Sequence, residues 1–122
     1  MTIKTFEARL HTVGGQSGAI IIDLCGELNV FAKSELNAAY AQADSANPAA
    51  ILLNFGCADF INSSGIALIV SLLTQARKSG RRVLVFGLNK HYVEIFTVTR
   101  LVDFVSVYPD EASAISAGLA PA

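Results

Sequence analysis

From Ile3 to Thr12 the chain alternates, with Phe6, Ala8 and Leu10 on one side and Glu7, Arg9 and His11 on the other. A period of two marks a strand with one wet face. Val13 to Gly18 carries three glycines and predicts a turn. Ala19 to Leu24 is rich in β-branched residues and predicts a second strand, antiparallel to the first. Gly26-Glu27-Leu28-Asn29 breaks that strand. Val30 to Ser45 then shows helical spacing through Leu36, Ala39, Tyr40 and Ala43, with Asn29 as its cap and Asn47-Pro48 as its stop. Ala50 to Phe55 is apolar on both sides, as a strand covered on two faces would be.

The second helical pattern runs from Ile66 to Ser79. Its inward stripe is Ile66, Ile69, Val70, Leu73 and Ala76, and Ser71, Thr74, Gln75 and Lys78 face water. Leu68 falls on the polar side. Gly80 closes the helix. Val83 to Phe86 is a fourth, continuously apolar strand. A third helix covers 90–99 with Val93, Phe96 and Val98 or Leu101 as core positions. Phe104 to Tyr108 forms a fifth strand, Pro109-Asp110-Glu111 starts a last helix, and 119–122 is a frayed tail. The order ββαβαβαβα predicts one α/β domain over 1–122: a mostly parallel sheet, an antiparallel N-terminal edge strand and about four helices. Right-handed crossovers bring the βα loops at 26–29, 56–63 and 87–89 to one edge, where ligands of open α/β sheets bind.

One of those loops ends in Asn62-Ser63-Ser64-Gly65. The serines fall where a helix begins and where its first N–H groups have no partner within the helix. The macrodipole adds partial positive charge there, which suits a phosphate on Ser63 or Ser64. The same residues also serve as N-caps, which contribute ~1 kcal/mol with no function implied. Both readings stand on the residues alone.

Composition narrows the choice. At 122 residues the chain buries enough surface for a core without staples, and 52% hydrophobic residues leave apolar surface for a partner. Nine basic residues against ten acidic give a net charge of −1, which argues against nucleic acid. The cluster Arg77, Lys78, Arg81 and Arg82 sits at a helix end, where cations are favoured anyway. No apolar run reaches the ~18 residues of a membrane span, and the first ten residues lack the apolar stretch of a secretory leader. Cys25 and Cys57, each at or just past a strand end, are expected to be reduced in a cytoplasmic protein. His11 and His91 are expected at the surface. No metal-ligand spacing, phosphate loop, dinucleotide fingerprint or nucleophile elbow is present, so no enzyme, metal or cofactor is expected.

Ile61-Asn62-Ser63-Ser64-Gly65-Ile66-Ala67 resembles the Asp-Ser-Ser/Thr-Gly-Leu-Gly core of STAS domains, the family of anti-sigma factor antagonists and sulfate-transporter tails. Gly26-Glu27-Leu28-Asn29 is similar to the family's Gly-Glu-Leu-Asp, and Gly80 to Val85 and Leu101 to Phe104 also sit where the family pattern places them. The resemblance implies a phospho-switchable binding module. Ser63 would be phosphorylated by a serine kinase that is also an anti-sigma factor, and a phosphatase would reset it. Helical spacing, independently, sets Ser64, Leu68, Ser71 and Gln75 on one strip with Leu68 as an apolar knob, so partner contacts are expected there and at Asn29 and Asn62, unless a neighbouring loop covers Leu68. Asn29, Asn54 and Asn62 stand where the family has Asp, Ala67 replaces the second glycine, and Arg100 stands where a small residue is common. These departures leave an alternative: a non-switching scaffold, or a subunit of a stressosome-like or ABC transport complex.

Overall fold

The computed structural model describes residues 6–13 and 18–119. In chain order its elements are β1 (Glu7–Val13), β2 (Ala19–Leu28), α1 (Lys33–Ser45), β3 (Ala50–Asn54), β4 (Ala58–Ile61), α2 (Ser63–Lys78), β5 (Val83–Phe86), α3 (Lys90–Val98), β6 (Ser106–Tyr108) and α4 (Glu111–Leu119). Short 3₁₀ turns at Val30–Ala32 and Leu101–Asp103 precede α1 and β6. The strands run β1-β2-β3-β5-β6, and β4 pairs separately with β2. Among the described residues the β1–β2 pairing alone is antiparallel, as the hairpin connection predicts. The expected turn glycines Gly14 and Gly15, residues 3–5 and the tail at 120–122 lie outside the described residues.

Alternation along each central strand builds two cores. Ile20, Ile22 and Leu24 of β2, Ile51 and Leu53 of β3, and Val85 of β5 pack beneath α1, α2 and α3. Ala19, Ile21, Ala50, Leu52, Leu84 and Phe86 point the other way, toward Ala114 of α4. Full burial of each Val, Leu, Ile or Phe side chain among them contributes roughly 1.5–3 kcal/mol. Below the sheet's far end, Arg81 reaches from the loop after α2 to the end of α1. It bonds Asp44 Oδ1 at 2.8 Å, the Pro48 carbonyl at 2.6 Å and Asn47 Oδ1 at 3.1 Å. Arg82 donates to the Gly118 carbonyl. Two members of the basic cluster therefore tie elements together.

The structure corrects the sequence reading in several places. β2 does not stop at Leu24; it continues through Gly26-Glu27-Leu28. Gly26 has φ +98° and the register shifts between it and Glu27, so the glycine makes a bulge. Beyond the bulge β2 exchanges β3 for β4 as its neighbour, and the predicted loop at 56–63 contains that strand. Cys25 consequently lies within a strand. In α2, Leu72 is buried and Val70 is exposed. In α3, Tyr92 joins Phe96 in the core while Val93 faces water, and of the alternatives Val98 and Leu101 it is Leu101 that is buried. The fifth expected strand is shorter, because Leu101–Asp103 forms a 3₁₀ turn that leaves Phe104 exposed.

Candidate functional site

The three expected βα loops do meet. Gly26 N–H donates to the Cys57 carbonyl at 3.2 Å, and Asn62 N–H donates to the Leu28 carbonyl at 3.2 Å. A Cβ on Gly87 would lie 2.7 Å from Gly56 N, so the third loop presses on the second. Gly56, Gly87, Leu88 and Asn89 line a small cavity of about 70 Å³ between them.

An asparagine closes each loop. Asn29 Oδ1 accepts from Phe31 N–H at 2.9 Å, Asn62 Oδ1 from Gly65 N–H at 2.9 Å, and Asn89 Oδ1 from Tyr92 N–H at 3.0 Å. These are N-cap bonds, each made from an extended backbone at the asparagine. Asn54 has a different duty. Its Nδ2 donates to Asp23 Oδ1 at 2.8 Å while its Oδ1 accepts from Gly56 N–H at 2.9 Å. The amide supplies the donor and the acceptor from two different atoms, whereas an ionised Asp at 54 would have no donor and would set two carboxylates against each other. On its other side Asp23 meets exposed His11, whose Nδ1 is 3.2 Å from Asp23 Oδ2.

Ser63 is the first residue of α2, and Ser63 and Ser64 are both exposed. Asn62 fills the cap, which leaves both hydroxyls free of that duty. The amides of Ser63 and Ser64 lie in the first turn, where no carbonyl of the helix can reach them. Gly65 fixes the position of the whole turn: a Cβ there would sit 2.0 Å from the Leu28 carbonyl oxygen and 2.7 Å from its carbon. The helix start thus rests directly on the backbone of β2. On the preceding strand, buried Ile61 N–H donates to the Tyr92 hydroxyl at 2.9 Å, which ties β4 to α3.

Of the expected contact residues, Ser64, Ser71 and Gln75 are exposed and Asn29 and Asn62 are half-buried. Leu68 is half-buried and packs against the main core, so only its outer edge reaches this face. The sequence reading missed the most exposed aromatic. Phe31, in the 3₁₀ turn that packs against α2, is 89% exposed, and Phe60 on β4 is 53% exposed. Their signal was visible as apolar residues flanking the Asn29 and Asn62 caps, but a helical reading of 30–45 gave Phe31 no special place.

The chain is thus an open, mostly parallel sheet with an exposed serine pair at a helix start on its loop edge. The family model for the STAS domain matches residues 12–114, and the chain belongs to that family. No curated protein matches the sequence. Among solved structures, an anti-sigma factor antagonist from Mycobacterium paratuberculosis is 16% identical with a TM-score of 0.78, covering 93% of each chain. The Bacillus cell fate determinant SpoIIAA in its phosphorylated form is 22% identical with a TM-score of 0.67, covering 90% of this chain and 97% of that one. The murine anion transporter Slc26a9 is 14% identical with a TM-score of 0.73, and the likeness covers 98% of this chain and 23% of that one. At these identities the likeness shows the fold. Among the described residues no helix is long and apolar enough to cross a membrane, and no acidic, histidine or cysteine cluster could hold a metal.

Proposed function

We propose that this STAS domain is a phospho-switchable binding module of the anti-sigma factor antagonist type. Its partner is a serine kinase that doubles as an anti-sigma factor, bound while Ser63 is unmodified and released when Ser63 carries phosphate. A protein phosphatase restores the binding state. The observation that carries the reading is the exposure of Ser63 at a helix start whose cap is already filled by Asn62 and whose position is fixed by Gly65.

The physical account is local. A phosphate adds about −1.5 to −2 charges and three strong acceptors. The first-turn amides of Ser63 and Ser64, which have no partner within the helix, and the helix dipole stabilise it in the free domain. Beside it lies polar Ser64, with exposed Phe31 on the 3₁₀ turn that packs against α2, and further along the helix come the edge of Leu68 and the polar Ser71 and Gln75. A partner shaped for the unmodified serines must desolvate the phosphate. A penalty of ~3 kcal/mol lowers affinity more than a hundredfold. Phe31 supplies the large, exposed aromatic that interfaces use as an anchor.

The alternative reading, a non-switching scaffold or a subunit of a stressosome-like or ABC transport complex, draws on two observations. Asn29, Asn54 and Asn62 leave the serine with fewer acidic neighbours, and the transporter Slc26a9 contains the same fold. Incubation with the cognate kinase and ATP separates the readings. The switch predicts label on wild type and none on Ser63→Ala. Label retained in Ser63→Ala but lost in Ser64→Ala moves the acceptor by one residue, and an unlabelled wild type favours the scaffold.

A further inference from the structure

The exchange of neighbours along β2 sets the two cysteines side by side. Gly26 and Ala58 are register partners in the parallel β2–β4 pair, and Gly26 N–H donates to the Cys57 carbonyl at 3.2 Å. Cys25 and Cys57 are the residues immediately before those partners. Adjacent strands lie about 4.8 Å apart, inside the roughly 4.4–6.8 Å between Cα atoms that a disulfide spans. Both cysteines are free thiols, Cys57 exposed and Cys25 half-buried. The thiol of Cys25 is pushed up to about 11, first by partial burial, then by the neighbouring Cys57 thiol and the charges of Asp23 and Glu7. Cys25 is therefore held as a protonated, half-buried thiol one strand across from a thiol that solvent reaches.

We infer that Cys25 and Cys57 form a redox modification site, closed into an intramolecular disulfide by a peroxide. The Cys57 sulfur, as thiolate, attacks one oxygen of hydrogen peroxide. The O–O bond breaks, the second oxygen leaves as hydroxide and takes a proton to become water, and Cys57 becomes a sulfenic acid. The Cys25 sulfur then attacks Cys57 Sγ. Its proton goes to the departing hydroxyl, the S–O bond breaks, and water leaves as the S–S bond forms. Two thiols and one peroxide yield one disulfide and two waters, the two electrons passing from sulfur to peroxide. The bond would clamp β2 to the start of β4, the strand that leads to Asn62 and Ser63. The inference stands independently of whether Ser63 is phosphorylated.

The test uses the purified full chain. Wild-type protein is treated with stoichiometric hydrogen peroxide, alkylated without reduction, and analysed by intact mass and peptide mapping. The expected result is a monomer with no alkylated cysteine and a linked pair of peptides containing Cys25 and Cys57, restored to two alkylated thiols by dithiothreitol. Cys25→Ser should instead accumulate a Cys57 sulfenic acid that dimedone traps, and Cys57→Ser should keep its one thiol alkylatable. Full alkylation of both cysteines after peroxide, covalent dimers in place of the internal link, or oxidation to sulfinic acid without a link would each overturn the inference.

Discussion

Two helices leave the same edge of the sheet through the same chemistry. Asn62 caps α2 and Asn89 caps α3, each through the amide of the third helical residue, Gly65 in one and Tyr92 in the other. The caps are alike and the consequences differ. At α2 the third residue has no side chain, because the Leu28 carbonyl occupies the space a Cβ would need. At α3 the third residue is large and buried, and its hydroxyl takes the Ile61 N–H. The two exposed positions before them are Ser63 and Ser64 in α2 but Lys90 and His91 in α3. Hydroxyls at a helix start can accept a phosphate that the dipole favours, whereas a lysine there opposes the dipole. One helix start is a surface held rigidly in place, and the other is part of what holds it.

Gly65→Ala attacks that difference most strongly. The added methyl meets backbone rather than a movable side chain, so destabilisation of about 3 kcal/mol or more is expected in chemical denaturation. A cost below about 1 kcal/mol, no more than an unstrained glycine exchange gives, would show that α2 is free to shift off β2. Tyr92→Phe keeps the packing and removes the acceptor from a buried N–H, with an expected loss of about 1–3 kcal/mol. Asn62→Ala and Asn89→Ala should each cost about 1 kcal/mol, and similarly, because the cap geometry is the same. If only one of the two were destabilising, the equivalence of the two starts would fail. Phe31→Ala is expected to change stability by less than about 0.5 kcal/mol, as for other exposed positions. It should weaken partner binding by about 2 kcal/mol in a titration. The reverse pattern would place Phe31 in the fold rather than at the interface.

The central strands, the helices and the clustering of the three loops were legible in the sequence, because each rests on a local period or on the handedness of crossovers. What was hidden depended on distant backbone. Gly26 reads as a strand end by composition, yet its positive φ lets β2 bend and find a second partner. β4 reads as loop because its alternation lasts only from Ala58 to Ile61 and two of those four residues are exposed. Val98 satisfies the helical stripe but is the last residue of α3 and is 80% exposed, and Leu101 in the following 3₁₀ turn is buried instead. At the site, Ser63 and its cap were visible as a motif. The reason for Gly65 was not, since it lies in the carbonyl of Leu28, and the dual role of Asn54 needed the position of Asp23. Phe31 was concealed by a helix that begins one turn later than the pattern suggests.

The most direct test of the switch is the modification state of Ser63 in the protein's own host. The protein purified from those cells, with and without phosphatase treatment, is analysed by intact mass and then by fragment mapping. The account predicts a population heavier by one phosphate, removed by phosphatase and located on Ser63. A homogeneous unmodified mass under conditions where the kinase is active, or phosphate confined to another residue, would contradict it.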